Sequence, residues 1–273
     1  MSPRPRRRSP HLLARWVAVV LALLAAVGMM GVIDLLTLPG WVNQQFRWEV
    51  PLEASWGALF TFYIAGAHLW VALYPGAPWP AFLQLGICSA SLLVCGAGGA
   101  DWRLLPLAVA VALSGLVLWW LLGRPPSPAM PRVALRLDLL AFAAVGALLW
   151  LPYTWVALER SRAGVLGSIT QGVEHWPVQG ALGLALVLAS LAMALWEMGR
   201  PLLRVAVSLS AVYIGMAELA FPDRAGAMGS LAWGTGVTLW GLLVALVAVP
   251  GAVTSLGATH QYQRDENAGS GGH

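Results

Sequence analysis

Lysine is absent from this 273-residue chain, so all 16 of its basic residues are arginines. Charge of either sign is scarce. Charged residues make up 10 % of the chain, against roughly a quarter in soluble domains. With 59 % hydrophobic residues and a mean hydropathy of +0.72, that scarcity excludes an ordinary soluble domain and points to the lipid bilayer as the main partner. Cysteine is rarer still. Cys88 and Cys95 fall in one apolar stretch, seven residues apart, a rise of about 10 Å on a helix, which is too long for a disulfide between them.

Chemical signatures are missing as well. The chain has no H-E-x-x-H, no G-x-S-x-G, no phosphate-binding glycine loop and no cysteine/histidine cluster at zinc spacing. Only one of the five histidines, His68, falls inside an apolar segment. Haem ligation by paired histidines is therefore not expected, and no cofactor or metal is assigned. No carboxylate sits near the middle of an apolar segment, which argues against proton-coupled transport. The sequence pI near 9.6 does not indicate nucleic acid, because the arginines fall at segment ends, where membrane topology places them.

What the chain does have is length in apolar runs. A spanning helix takes about 20 residues, and eight segments qualify: Trp16 to Leu38, Ser55 to Tyr74, Trp79 to Gly99, Leu104 to Leu122, Leu137 to Val156, Val178 to Trp196, Leu202 to Phe221 and Gly229 to Val249. The fold expected is all-α, a polytopic bundle of eight transmembrane helices. Placing the N-terminus in the cytoplasm puts eleven arginines inside and five outside. The positive-inside rule then puts both termini in the cytoplasm of a bacterial inner membrane. Tryptophans gather near segment ends, with Trp41, Trp48, Trp56, Trp102, Trp150, Trp155 and Trp176 assigned to the outer interface and Trp16, Trp79, Trp119 and Trp120 to the inner one.

The organisation expected is a basic cytoplasmic tail (1–15), a first four-helix half (16–122), a Pro-rich cytoplasmic linker (123–136), a second four-helix half (137–250) and a polar, disordered tail (251–273), whose last residues resemble an expression remnant. AAVG recurs at Ala25 and Ala143, GAL at Gly57 and Gly180, and G-x-P at Gly76 and Gly199. Both duplication into parallel repeats and chance similarity stay open as readings.

Two polar breaks, Gly40 to Trp56 and Leu158 to Gln179, are assigned to the outer face. Their Glu49, Glu53, Glu174 and His175 are read first as solvated loop residues, with general acid and base work on a lipid-linked substrate as the sharper alternative. Within the bundle, small and polar residues repeat at helical spacing. Gln84, Cys88, Ser91 and Cys95 share one face of the third segment, and His68 lies on a face of the second. Ser208, Ala211, Gly215 and Glu218 line the seventh; Ser230, Gly234, Thr238 and Gly241 line the eighth. These stripes are read as close helix packing or as a polar cavity between helices 2, 3, 7 and 8, entered past Asp34 and Glu218. Asp34, His68, Gln84, Cys88 and Glu218 are the candidate cavity residues. Three function classes follow: transport or permeability for a small molecule or lipid, a non-catalytic subunit or assembly factor working with other membrane subunits or as a homo-oligomer, and a membrane enzyme acting at the outer face.

Overall fold

The computed structural model describes residues 11–35, 50–126, 135–165 and 175–247. Every regular element among them is helical. Glu49, Glu174, Trp41, Trp48, most of the Pro-rich linker, residues 1–10 of the basic tail and the whole C-terminal tail lie outside the described residues, while 11–15, expected in the tail, begin the first helix.

Among the described residues, seven helices are long and apolar enough to cross a membrane: α1 (His11–Gly28), α2 (Val50–Leu73), α3 (Trp79–Gly98), α4 (Leu104–Leu121), α5 (Leu137–Arg162), α6 (Trp176–Leu195) and α7, which is Arg200–Ala220 preceded by a 3₁₀ turn at Glu197–Gly199. The eighth, α8 (Leu231–Leu246), has 16 residues, about 24 Å of rise. Helix starts follow local rules. Pro80, Pro177 and Pro201 occupy the first turns of α3, α6 and α7, where a missing N–H costs nothing. Ser230 caps α8 by accepting from the Trp233 backbone N–H at 3.2 Å.

Three boundaries differ from the sequence expectation for visible reasons. The first helix breaks after Gly28, where the chain enters the left-handed region at Met30 (φ 59°), and helix resumes over 31–35. The Trp56 indole holds that break by donating to the Met29 carbonyl at 2.7 Å. The second helix starts at Val50, five residues early, so Glu53 lies in its first turn rather than in a loop. The fifth runs six residues past Val156 to Arg162; there Ser161 and Arg162 donate to the Gly99 and Gly98 carbonyls at 2.8 and 2.5 Å.

Successive helices run antiparallel. At the end of the bundle where α1 begins, here the basal end, arginines satisfy the carbonyls that each helix leaves open at its C-terminus. Arg15 donates to Ala72 and Leu73 of α2, Arg200 to Met193 of α6 and Arg204 to Val247 just past α8. At the opposite, apical end, the loop after α7 folds over the starts of α2 and α6. Leu52 N–H donates to Ala225 O, and Gln179 Nε2 donates to Gly226 O at 2.9 Å. Gly226 has a φ of +91°, and a Cβ there would fall 2.4 Å from the Leu52 nitrogen, so both conformation and closeness require glycine.

The helices pair in two rings. In the first half α1 packs on α2, α2 on α3, α3 on α4 and α4 on α1; in the second, α5 on α6, α6 on α7, α7 on α8 and α8 on α5. The rings meet where α3 packs on α6 and α2 on α7. Exchanging α1–α4 for α5–α8 maps this pairing onto itself.

Small residues set the α7–α8 contact. A Cβ on Gly215 would lie 2.2 Å from the Thr238 hydroxyl, and one on Gly241 2.8 Å from the Ala211 Cβ. The stripes on the seventh and eighth helices therefore face each other in direct contact and leave no room for a cavity between these two helices. The second ring also holds an aromatic core. Trp150 is fully buried and packs edge-on to Tyr153, Trp233 and Trp240, while Trp102, Trp155, Trp16 and Trp120 face outward as belt residues do. Trp56, Trp150 and Trp176 were expected at the outer interface and are buried instead.

Candidate functional site

Two π-helical segments interrupt the bundle, Leu24–Gly28 at the end of α1 and the longer Leu59–Ala65 inside α2. Such widened turns pull carbonyls out of the ordinary ladder and recur at functional sites. Gln84 of α3 meets two of those carbonyls, its Nε2 donating to Tyr63 O at 2.7 Å and to Phe62 O at 3.3 Å. Its Oε1 is left without a partner among the described residues.

Other buried polar atoms on the helices that join the rings also have no partner among the described residues: the Tyr63 hydroxyl on α2, Ser91 Oγ on α3 and Ser210 Oγ on α7. Tyr63, Gln84, Ser91 and Ser210 are all fully buried, and Cys88, equally buried, neighbours Tyr63. Tyr63, Cys88, Ser91 and Ser210 each sit within about one turn of the middle of their helix, on three of the four helices that join the rings. Buried polar atoms usually find a partner, and each exception calls for an explanation. A group of them at mid-depth, on the helices that join the two rings, is the strongest site signal in the molecule. Gln84 and Cys88 were expected at such a place. Tyr63 and Ser210 were not, because the stripe chosen on the seventh helix was the one that packs against α8.

His68 stands one turn beyond the π-segment. Its Nε2 lies 2.9 Å from the Ser114 hydroxyl of α4, which itself donates to Val111 O. That bond staples α2 to α4 and takes His68 out of the junction.

The remaining candidates gather at the apical end. Glu218 is buried, and its carboxylate accepts from the Met228 and Ser230 backbone N–H groups at 2.8 and 3.0 Å. It anchors the loop between α7 and α8 and does not open to a cavity mouth. Glu53 is 5 % exposed, not solvated, because α2 begins early enough to carry it inside. Asp34 follows α1 and is half-buried. Burial, and then the charge of Glu53, push its carboxyl from 3.8 up to about 8. His175, expected in a loop, caps the start of α6 with its ring 4.5 Å from that of Trp56. Burial lowers its imidazole from 6.5 to about 4. Ser55 and Tyr153 share a 2.5 Å hydrogen bond beside this group and tie the two rings together.

Among the described residues no set of three or more histidine, cysteine, aspartate or glutamate side chains is placed to hold a metal ion. The hydrogen bonds of Glu218 belong to the fold, since both carboxylate oxygens hold the loop between α7 and α8. Comparison of the chain with protein-family models, with curated proteins and with solved structures finds no match in any of the three.

Proposed function

We propose that this integral membrane protein is a transporter or permeability protein for a small, uncharged polar solute, built from two parallel four-helix repeats whose relative motion exposes the junction between them. The observation that carries this reading is that Tyr63 Oη, Ser91 Oγ and Ser210 Oγ, near mid-helix, and Gln84 Oε1, about a turn from it, are buried without partners among the described residues. Transporters built from repeats bind at mid-membrane where the repeats meet, commonly at interrupted helices, and α2 is interrupted there by its π-segment. Hydroxyls, an amide and a thiol offer hydrogen bonds without fixed charge. That chemistry suits a neutral solute and runs without a mid-depth carboxylate.

The path differs from the one expected at helices 2, 3, 7 and 8. It follows α2, α3, α6 and α7, since α7 and α8 pack through small residues. Arginine counting places the basal end in the cytoplasm.

Cys88 supplies the test, being fully buried, at mid-depth, and one of only two cysteines in the chain. N-ethylmaleimide applied to the wild-type protein in native membranes should label Cys88 on a timescale of minutes, read by mass spectrometry of its peptide. Labelling of Cys88 only after denaturation would mean a static bundle and would exclude a path through the junction.

A further inference from the structure

We infer that the cleft between α2 and α7 holds one acyl chain of an anionic phospholipid, with its headgroup at Arg15. The cleft encloses about 250 Å³ and is lined by Phe62, Gly66, Leu69, Leu73, Val205 and Leu209, among other residues. At about 30 Å³ for a water-sized unit, that space takes roughly eight methylenes. Both walls belong to helices long and apolar enough to span the bilayer, so the cleft opens sideways to hydrocarbon rather than to water. Thr61 marks its deep end, at the middle of α2, and Leu73 and Pro201 its basal rim. The span from Thr61 to Leu73 rises about 18 Å, close to the half-thickness of a bilayer core, about 15 Å. Its length therefore matches a single leaflet.

The headgroup assignment comes from the basal rim. Leu73 lines the cleft, and its carbonyl and that of Ala72 accept from Arg15 Nη2 and Nε at 3.4 and 2.9 Å. A guanidinium carries five N–H donors. Two are engaged here, the residue is exposed, and the rest are placed at the depth of lipid phosphate. One wall is apolar chain-binding surface and the rim is a fixed cation, the complement of a phospholipid with net negative charge. Nothing in this inference depends on a path through the junction of the two rings.

The test uses the full chain in nanodiscs containing phospholipid with a diazirine on the acyl chain, carrying either a phosphatidylglycerol or a phosphatidylcholine head. Photolysis should place adducts within 61–73 and 201–209, about fivefold more with phosphatidylglycerol. Arg15→Gln should remove the headgroup preference and keep the adducts. Val205→Trp, at a position 52 % exposed in the wild type and so tolerant of a larger side chain, should remove the adducts for both lipids while the helical circular dichroism is unchanged. Adducts spread evenly over outward positions such as Leu113 and Leu148, equal yields from both headgroups in the wild type, or adducts that survive Val205→Trp would each overturn the inference.

Discussion

The two seams that join the rings are related by the exchange of halves, yet they are packed differently, and the α2–α7 seam carries a cleft along its basal half. At α3–α6 the helices meet through small residues. A Cβ on Gly180 would lie 3.6 Å from the Cys95 sulfur of α3, with Leu158 of α5 at 3.3 Å on its other side, and Ala81, Ala185 and Ala189 are fully buried. At α2–α7 the apical part of α2 packs directly on α7, and a cleft of about 250 Å³ lies along the basal half, between Thr61 to Leu73 and Pro201 to Leu209. The difference lies in α2, which has 24 residues where α6 has 20 and carries the π-segment that α6 lacks. A tight seam and a loose one across the same junction make a hinge and an opening, which is what the relative motion proposed for the rings requires.

Removing the bond that stabilises the π-segment should have the largest effect. Gln84→Leu leaves two buried α2 carbonyls without their donor, a loss of about 2–3 kcal/mol, read as a lower unfolding midpoint in detergent. Ser190→Ala is the matched control on α6, since Ser190 only bonds back to Leu186 O of its own helix; it should change stability by less than about 0.5 kcal/mol. Equal losses from the two would show that the π-segment is not held from α3.

Filling each seam gives the next contrast. Gly180→Leu must displace Leu158 and Cys95, and overpacking of this kind costs about 1–3 kcal/mol, offset in part by the roughly 1 kcal/mol that leucine gains over glycine in a helix. Gly66→Leu, whose nearest neighbours to a Cβ are at 3.7 and 3.8 Å and which borders the cleft, should be neutral or slightly stabilising. Thermal unfolding of both variants reads the comparison, and a larger loss at Gly66 would reverse the assignment of loose and tight seams.

The smallest effect concerns the apical end. Asp34 holds its proton in the folded state up to about pH 8, against 3.8 when unfolded. The folded state thus binds more protons between those values, and stability falls as pH rises through that window. His175 works in the opposite sense: its pKa of about 4, against 6.5 unfolded, makes stability rise from pH 4 to 6.5. The two contributions oppose each other below pH 6.5, and above it only Asp34 remains. The unfolding temperature should therefore decline from pH 6.5 to 8 in the wild type and stay flat in Asp34→Asn. A decline of the same slope in the variant would assign the effect to another group.

Much of the fold was legible in the sequence because length in an apolar run is a one-dimensional signal. All eight segments appear as helices at the expected places. The ends were less legible, since polarity and helicity part company there. Glu53 looked like a loop residue, although Pro51 followed closely by an acid is also how a helix begins. Gln84 and Cys88 stand out in the sequence by their spacing. The role of Gln84 does not, because no local composition marks Leu59–Ala65 as a π-helix. Ser210 was passed over for the neighbouring face with Gly215 and Glu218, which small-residue spacing made conspicuous for a reason that proved to be packing. The proposed duplication rests on the pairing of helices, a two-body property that a single sequence does not display.

The central claim is that the rings separate at α2–α7 while α3–α6 stays closed. Bridging the loose seam in a Leu69→Cys, Val205→Cys variant with a short bismaleimide, both positions lining the cleft, tests it most directly, with N-ethylmaleimide labelling of Cys88 as the readout. The account predicts that the bridged protein loses most of its Cys88 labelling while the unbridged variant keeps it. Labelling that proceeds at the same rate with the seam locked would contradict it.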